Sequence, residues 1–119
     1  MRSINKVMLA GRLVSDPETR PFDSGRNLCS FCIALNRTWK DSEGNAKEES
    51  TFVEVKYWSK HALETAKSVR KGSNVFVEGR LLQERWKTKD TQENRTRLVV
   101  EADEITYLDP KTTGEERIS

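Results

Sequence analysis

Apolar residues in this chain come in short runs broken by polar stretches that carry glycine, proline or asparagine, a rhythm that predicts strands more than helices. Residues 4–14 (INKVMLAGRLV) form a first strand rich in branched side chains, ended by the turn signal Asp16-Pro17. Residues 23–27 (DSGRN) read as a tight turn and residues 28–36 (LCSFCIALN) as a second, largely buried strand. A polar loop over 40–49, with Gly44-Asn45 near its middle, leads to a third strand at 50–58. Residues 59–72 (SKHALETAKSVRKG) predict the one helix, with Ser59 as N-cap, apolar positions from His61 to Val69, and Gly72 as the stop. A long fourth strand follows at 74–86, then a second polar loop at 87–96 and a fifth strand at 97–108. Residues 110–119 are polar, lack periodicity and predict a flexible tail.

Five strands with one short helix between the third and fourth is the element order of an OB-fold, an all-β, five-stranded Greek-key barrel. Gly11 and Gly79 fall inside strands, where a small barrel needs a bend or a close backbone approach, and both are expected to mark bulges. Nothing repeats internally. The expected organisation is one domain over residues 1–109 and a tail over 110–119.

With 119 residues there is room for one modest core. Charged and hydrophobic residues each make up 34% of the chain, so that core must be lean. No apolar stretch approaches the roughly 20 residues a membrane helix needs. The N-terminus runs straight into strand-like sequence without the apolar segment of a signal peptide, so an intracellular, cytoplasmic protein without a membrane partner is expected. Cys29 and Cys32 form a C-x-x-C on a strand, where positions three apart face opposite ways. With no second cysteine pair and His61 the sole histidine, a tetrahedral metal site lacks ligands; both cysteines read as small strand residues, and no cofactor is expected.

Charge is distributed unevenly. Residues 1–40 hold seven Lys/Arg against three Asp/Glu and residues 80–97 six against three, whereas 98–119 hold two against six. Trp39 and Trp86 lie in the two basic regions. All three tryptophans sit among cations: Arg37-Thr38-Trp39-Lys40, Lys56-Tyr57-Trp58-Ser59-Lys60 and Arg85-Trp86-Lys87. A flat ring beside a cation suits a nucleic-acid strand, the ring stacking on a base while the cation meets phosphate. Alternation along the third strand places Thr51, Val53, Val55 and Tyr57 on a core face, and Phe52, Glu54, Lys56 and Trp58 on the other. Two rings mixed with charges cannot be core. They are either a base-stacking platform or a contact between subunits. Stacking fits better, because Trp39 and Trp86 are expected at the bases of the two polar loops, where an OB barrel extends its binding surface. In the fourth strand Val75, Val77 and Leu81 share one face, and Phe76, Glu78, Arg80, Leu82, Glu84 and Trp86 the other. Phe76, Phe31 and Tyr107 read as packing residues, and Phe22, after Arg20-Pro21, fits either use.

Taken in order, NKVMLAGRLVSDPETR (5–20), FCIALNRTWKD (31–41), FVEVKYWSKHALETA (52–66) after an acidic run, VRKGSNVFVEGRL (69–81) and RWK (85–87) resemble bacterial-type single-stranded DNA-binding proteins over about residues 3–108. The resemblance implies an OB-fold homotetramer that wraps single-stranded DNA without sequence preference. Its four stacking aromatics fall on Trp39, Phe52, Trp58 and Trp86, with Phe52 and Trp58 at positions more commonly tryptophan and phenylalanine. Arg37, Lys56, Arg85 and Lys87 flank the rings as phosphate contacts, and Lys60, Lys71, Arg95 and Arg97 are further candidates. Val53 stands where many relatives have a histidine that supports subunit contacts. The family's acidic, apolar-tipped tail, which recruits replication and repair proteins, has no counterpart in GEERIS, so the sequence reads either as a trimmed core or as a short variant without that tip.

Two other readings share the fold: a dimeric, primosomal-type protein that contacts replication proteins, and an RNA-binding OB module. A nuclease would need clustered carboxylates to hold metal. Glu48-Glu49 and Asp103-Glu104 are adjacent strand residues facing opposite ways, so a binder rather than an enzyme is expected.

Overall fold

The computed structural model describes residues 1–22 and 25–108. The tail expected over 110–119 lies outside these residues, as does the Asp23-Ser24 portion of the turn expected at 23–27. Six strands and one helix follow in the order β1 (Val7–Leu13), β2 (Glu18–Pro21), β3 (Asn27–Lys40), β4 (Ala46–Ser59), α1 (Ala62–Ser68), β5 (Asn74–Lys87) and β6 (Asn94–Tyr107). Five of the strands close into a barrel. β1 makes the closure: Val7–Arg12 run antiparallel to Gly79–Asn74 of β5, and its last residues, Arg12 and Leu13, pair with Ala34 and Ile33 of β3. A short parallel contact, Val55–Tyr57 against Val100–Ala102, joins β4 to β6 and completes the circuit.

The alternation read from the sequence governs what lies inside. Cys29, Phe31 and Ile33 of β3, Val55 of β4, and Val75 and Val77 of β5 are buried in one cluster. Ala62 and Val69, from either end of the α1 segment, join it, so the helix plugs one end of the barrel. Burial pushes the Cys29 thiol up to about 11, leaving it a packing group rather than a nucleophile.

Two glycines make the closure sterically feasible. A Cβ on Gly11 would lie 2.6 Å from the Ala34 carbonyl oxygen. Gly11 nevertheless keeps unbroken register with Val75, so the expected bulge is absent there and the residue serves close approach alone. Gly79 does sit at a bulge: Glu78 pairs with Glu104 and Gly79 with Ala102, skipping Asp103. A Cβ on Gly79 would fall 2.1 Å from the Glu101 carbonyl oxygen.

Other expectations are corrected as well. The polar segments 40–49 and 87–96 are mostly strand, because β3 and β4 continue to Lys40 and from Ala46, and β5 and β6 to Lys87 and from Asn94. A two-stranded ribbon leaving the barrel has no core face to fill, so its side chains are polar while its backbone ladder continues. Only the tips turn. At one tip the Asp41 carboxylate accepts N–H bonds from Glu43 and Asn45 at 2.9 and 2.8 Å, which hold its carboxyl below the ordinary range, and Gly44 adopts a φ of +83°.

The four-residue β2, exposed throughout on the outer edge of β3, was not expected, because a short strand with nothing to bury leaves no apolar pattern. The helix spans Ala62–Ser68 rather than 59–72, with His61 in place of Ser59 as its N-cap. The Ser59 hydroxyl instead accepts the His61 N–H at 3.0 Å. Thr65 and Ser68 hydroxyls bond back to the His61 and Glu64 carbonyls, and Val69 turns extended to bury its side chain. Gly72, at φ +93°, belongs to the following turn, where its N–H donates to the Leu13 carbonyl.

Because backbone atoms, not a flexible side chain, crowd Gly79, Gly79→Ala should destabilise the fold by about 1–3 kcal/mol in urea unfolding. An unchanged midpoint would show that the bulge has slack.

Candidate nucleic-acid interface

The outer face of β4 carries Phe52, Glu54, Lys56 and Trp58. Cross-strand register sets Ala34, Cys32, Ser30 and Leu28 of β3 opposite them. Phe52 stands most open of the four, at 63% exposed, while Glu54, Lys56 and Trp58 are half-buried. On the β6 side the same face continues through Glu101 and Arg97, and on β5 through Arg80, Glu84 and Trp86. Trp58 is braced where β4 meets the β2–β3 turn. Phe22 packs against it with ring centroids 4.9 Å apart at a 57° tilt, and Arg26 Nη2 donates to the Trp58 carbonyl at 3.0 Å.

Three recesses mark this face. One of about 280 Å³ is lined by residues of β2, β3 and β4, among them Arg20, Lys56 and Glu54, with Arg97 at its edge. A second of about 580 Å³ lies beside Trp58, between Arg26, Arg80, Glu101 and Asp103. The third, about 530 Å³, surrounds Trp86 with Glu84, Arg85 and Arg97. Arg97 is common to the first and third, so the path from Lys56 to Trp86 is continuous. Among the described residues no group of three or more His, Cys, Asp or Glu could hold a metal ion.

Each tryptophan has an arginine nearby, and each of those arginines is held by a glutamate. The Arg37 guanidinium lies 4.8 Å from the Trp39 ring centre and pairs with Glu49 at 3.3 Å. Arg97 lies 5.7 Å from the Trp86 ring centre and pairs with Glu84 at 3.0 Å. Arg80, in the recess beside Trp58, donates through both Nε and Nη2 to Glu101 Oε1. Glu84 does more than the others, because its second oxygen accepts from Lys56 Nζ of the central strand.

The expected site residues are brought together unevenly. Phe52, Lys56, Trp58, Trp86, Arg95 and Arg97 share the outer face. Trp39 pairs with Lys47 and so lies on the opposite face of the β3–β4 ribbon from Phe52. Trp39 and Trp86 stand one residue from their strand ends, at hairpin tips rather than loop bases, since the segments read as loops are ordered ribbons. Arg85 and Lys87 flank Trp86 in sequence but alternate to the other face of β5. The cations on the face of Trp86 come from β6: Arg95 directly opposite, and Arg97. Lys60 and Lys71 are exposed and line none of the three recesses. Phe31 and Phe76 are buried and half-buried, but Tyr107, expected to pack, is 45% exposed.

A sequence profile of the single-strand binding protein family matches residues 4–108. The chain belongs to the single-strand binding protein family. It is 39% identical over 98 residues to a single-stranded DNA-binding protein of Aquifex aeolicus, covering 82% of this chain and 67% of that one. It is 38% identical over 112 residues to single-stranded DNA-binding protein 1 of Staphylococcus aureus, covering 94% and 70%. A Plasmodium falciparum SSB solved in complex with ssDNA superposes with a TM-score of 0.79 at 23% identity, covering 92% of this chain and 98% of that one, a likeness that shows the fold alone. A deletion mutant of the single-stranded DNA binding protein from Thermus aquaticus superposes at 0.75 with 27% identity, covering 89% and 51%. The OB-fold expected from the element order is the fold of this family.

Two contributors to this face were not settled by sequence reasoning. Phe22 is assigned to the Trp58 platform only by its ring contact, which no spacing in the sequence announces. Glu84 shares strand parity with Trp86, which was legible, but its partners Lys56 and Arg97 lie 28 and 13 residues away along the chain. The bond from Lys56, then that from Arg97, hold the Glu84 carboxyl below its ordinary value of 4.5 against the opposing pull of burial. A carboxyl depressed by folding adds stability that is complete above its unfolded value and disappears as pH falls through the lower folded value. Glu84→Gln should therefore lower stability by about 1 kcal/mol at pH 7 in urea unfolding, and the gap should close as pH falls below that ordinary value. A gap that persists at low pH would show that packing, not charge, sets the effect.

Proposed function

We infer that this protein binds single-stranded DNA without reading its sequence, holding and protecting exposed strands during replication, recombination and repair. The observation that carries this reading is the outer barrel face, on which the exposed rings of Phe52 and Trp86 and the half-buried ring of Trp58 stand among Lys56, Arg95 and Arg97. Bases stack on Trp58, Phe52 and Trp86, and on Trp39 where the β3–β4 ribbon folds over the strand. Each stacked base contributes about 1–3 kcal/mol, and every base offers the same π-face, so affinity carries no sequence requirement. Lys56 and Arg97 meet phosphates between the rings, with Arg37, Arg85, Lys87, Arg95, Lys60 and Lys71 continuing the cationic path outward. The role is non-catalytic, since the face offers rings and cations, and two of its carboxylates, Glu84 and Glu101, are tied to lysine and arginine.

Assembly as a homotetramer accords with apolar side chains the barrel leaves outside. Leu81 and Leu98, 45% and 62% exposed, project from the face of the β5–β6 ribbon away from Trp86, and Met8 of β1 is 57% exposed. Covering them with copies of the chain leaves Phe52 and Trp58 free for DNA rather than for subunit contact. No helix among the described residues is long and apolar enough to cross a membrane. A cytoplasmic, nucleoid-associated location follows from the ligand.

Oligo-dT added at low salt should strongly quench tryptophan emission and added salt should restore it, while a matched RNA oligomer competes less well. Trp86→Ala should weaken binding about tenfold and leave the fold intact, because the ring is exposed at a ribbon tip. Emission unmoved by oligo-dT at low salt would overturn the reading, and preferential binding of the RNA would replace it with the RNA-binding one.

A further inference from the structure

Glu84 stands in the middle of the face proposed to meet a polyanion, where a carboxylate opposes binding. Its two oxygens are divided between two cations from different strands: Oε2 accepts from Lys56 Nζ, and Oε1 from Arg97 Nε at 3.0 Å. A phosphodiester presents the same feature, an anion with two free oxygens. The site is partly enclosed, with Lys56 and Glu84 side chains 19% and 23% exposed, so the pair is shielded from salt more than an open surface bridge. Arg97 is shared again, lying 5.7 Å from the Trp86 ring centre while it holds Glu84. An anion between Lys56 and Arg97 is therefore next to a base stacked on Trp86.

We propose that the Glu84 carboxylate is a stand-in for phosphate: in the DNA complex the phosphodiester beside the nucleotide stacked on Trp86 binds between Lys56 and Arg97, and Glu84 gives up both cations to it. This rests on the single-stranded DNA reading and adds a defined phosphate position and a residue that sets affinity. In the free protein Glu84 keeps both Lys56 and Arg97 neutralised, so weak anions do not occupy the site. A strand that also stacks on the rings displaces Glu84, because the stacking energy is added to the phosphate contact. Glu49 holds Arg37 in a similar relation to Trp39, but that pair is far more open, with side chains 70% and 55% exposed, and bonds one cation instead of two. It is a built-in comparison in which the same exchange has little effect.

The test titrates oligo-dT into the wild type, Glu84→Gln and Glu49→Gln across a salt series, with circular dichroism confirming that each is folded at the assay temperature. Glu84→Gln should bind at least about threefold tighter near 0.1 M salt, and its log–log salt slope should steepen by up to about 0.7, the value of one phosphate on a single strand, because no displaced carboxylate takes up a cation and offsets the release. Glu49→Gln should stay within twofold of the wild type. In the wild type itself, the Arg97 Nε–H resonance should move as oligo-dT saturates the protein, a readout that does not depend on any variant. If the wild type binds but Glu84→Gln binds no tighter with an unchanged slope, or if the Arg97 resonance stays fixed through saturation, Glu84 is a structural brace and the proposal fails. If the wild type does not bind oligo-dT, the functional reading fails instead.

Discussion

The structure depends on one strand pairing twice. β1 leaves its ladder with β5 only at its last residues, where Arg12 and Leu13 take up pairing with β3. That handover turns a sheet into a closed barrel and leaves the short β2 as an edge strand, limiting the edge on which a sheet of this size would aggregate. It requires the β1 backbone to come against β3 more closely than a side chain allows, which is why Gly11 faces the Ala34 carbonyl. The bulge at Gly79 solves the matching problem across the ring, where β5 bends against β6. Once closure is imposed, alternation alone decides which side chains are sealed in and which stand outside.

The face proposed to meet DNA is the outer half of that division. β4 runs through its centre, with β3 on one side, β6 on the other and β5 beyond it. This order brings Lys56, Glu84 and Arg97 together from three strands, two of them far from the third in sequence. The face is consequently a lattice of alternating charge with rings set into it, rather than a uniformly basic surface. Arg37, Arg80 and Arg97 are each engaged by a glutamate, so in the free protein these three cations are positioned and partly neutralised. Position favours binding, because an ordered guanidinium loses less freedom when it meets phosphate. Neutralisation opposes it, and the balance places the burden of affinity on the rings.

Much of this was legible in the chain. The element order indicated a small barrel because strands with a buried face must alternate, and Cys29, Phe31, Ile33, Val75 and Val77 do. Parity along residues 50–58 separated Phe52 and Trp58 from the core without any knowledge of their neighbours. What stayed hidden is what alternation cannot carry. The ribbon arms beyond Asn36 and Leu82 bury nothing, so no apolar signal distinguishes them from loops, and Trp39 and Trp86 were set at loop bases. β2 is exposed throughout for the same reason. Sequence adjacency also showed only part of the charge: Arg85 and Lys87 are next to Trp86 along the chain, while Arg97, across the ladder, lies 5.7 Å from its ring centre. The stand-in role of Glu84 needs three strands in register, and no single segment encodes it.

The central claim is that the exposed rings are the surface on which single-stranded DNA lies. The most direct test is the set of indole N–H cross-peaks in an amide correlation spectrum recorded as oligo-dT is added. All three tryptophan indoles should shift, while the backbone amides of core residues such as Ile33 and Val77 stay in place. Indole peaks that hold their positions through saturating oligo-dT would contradict the account.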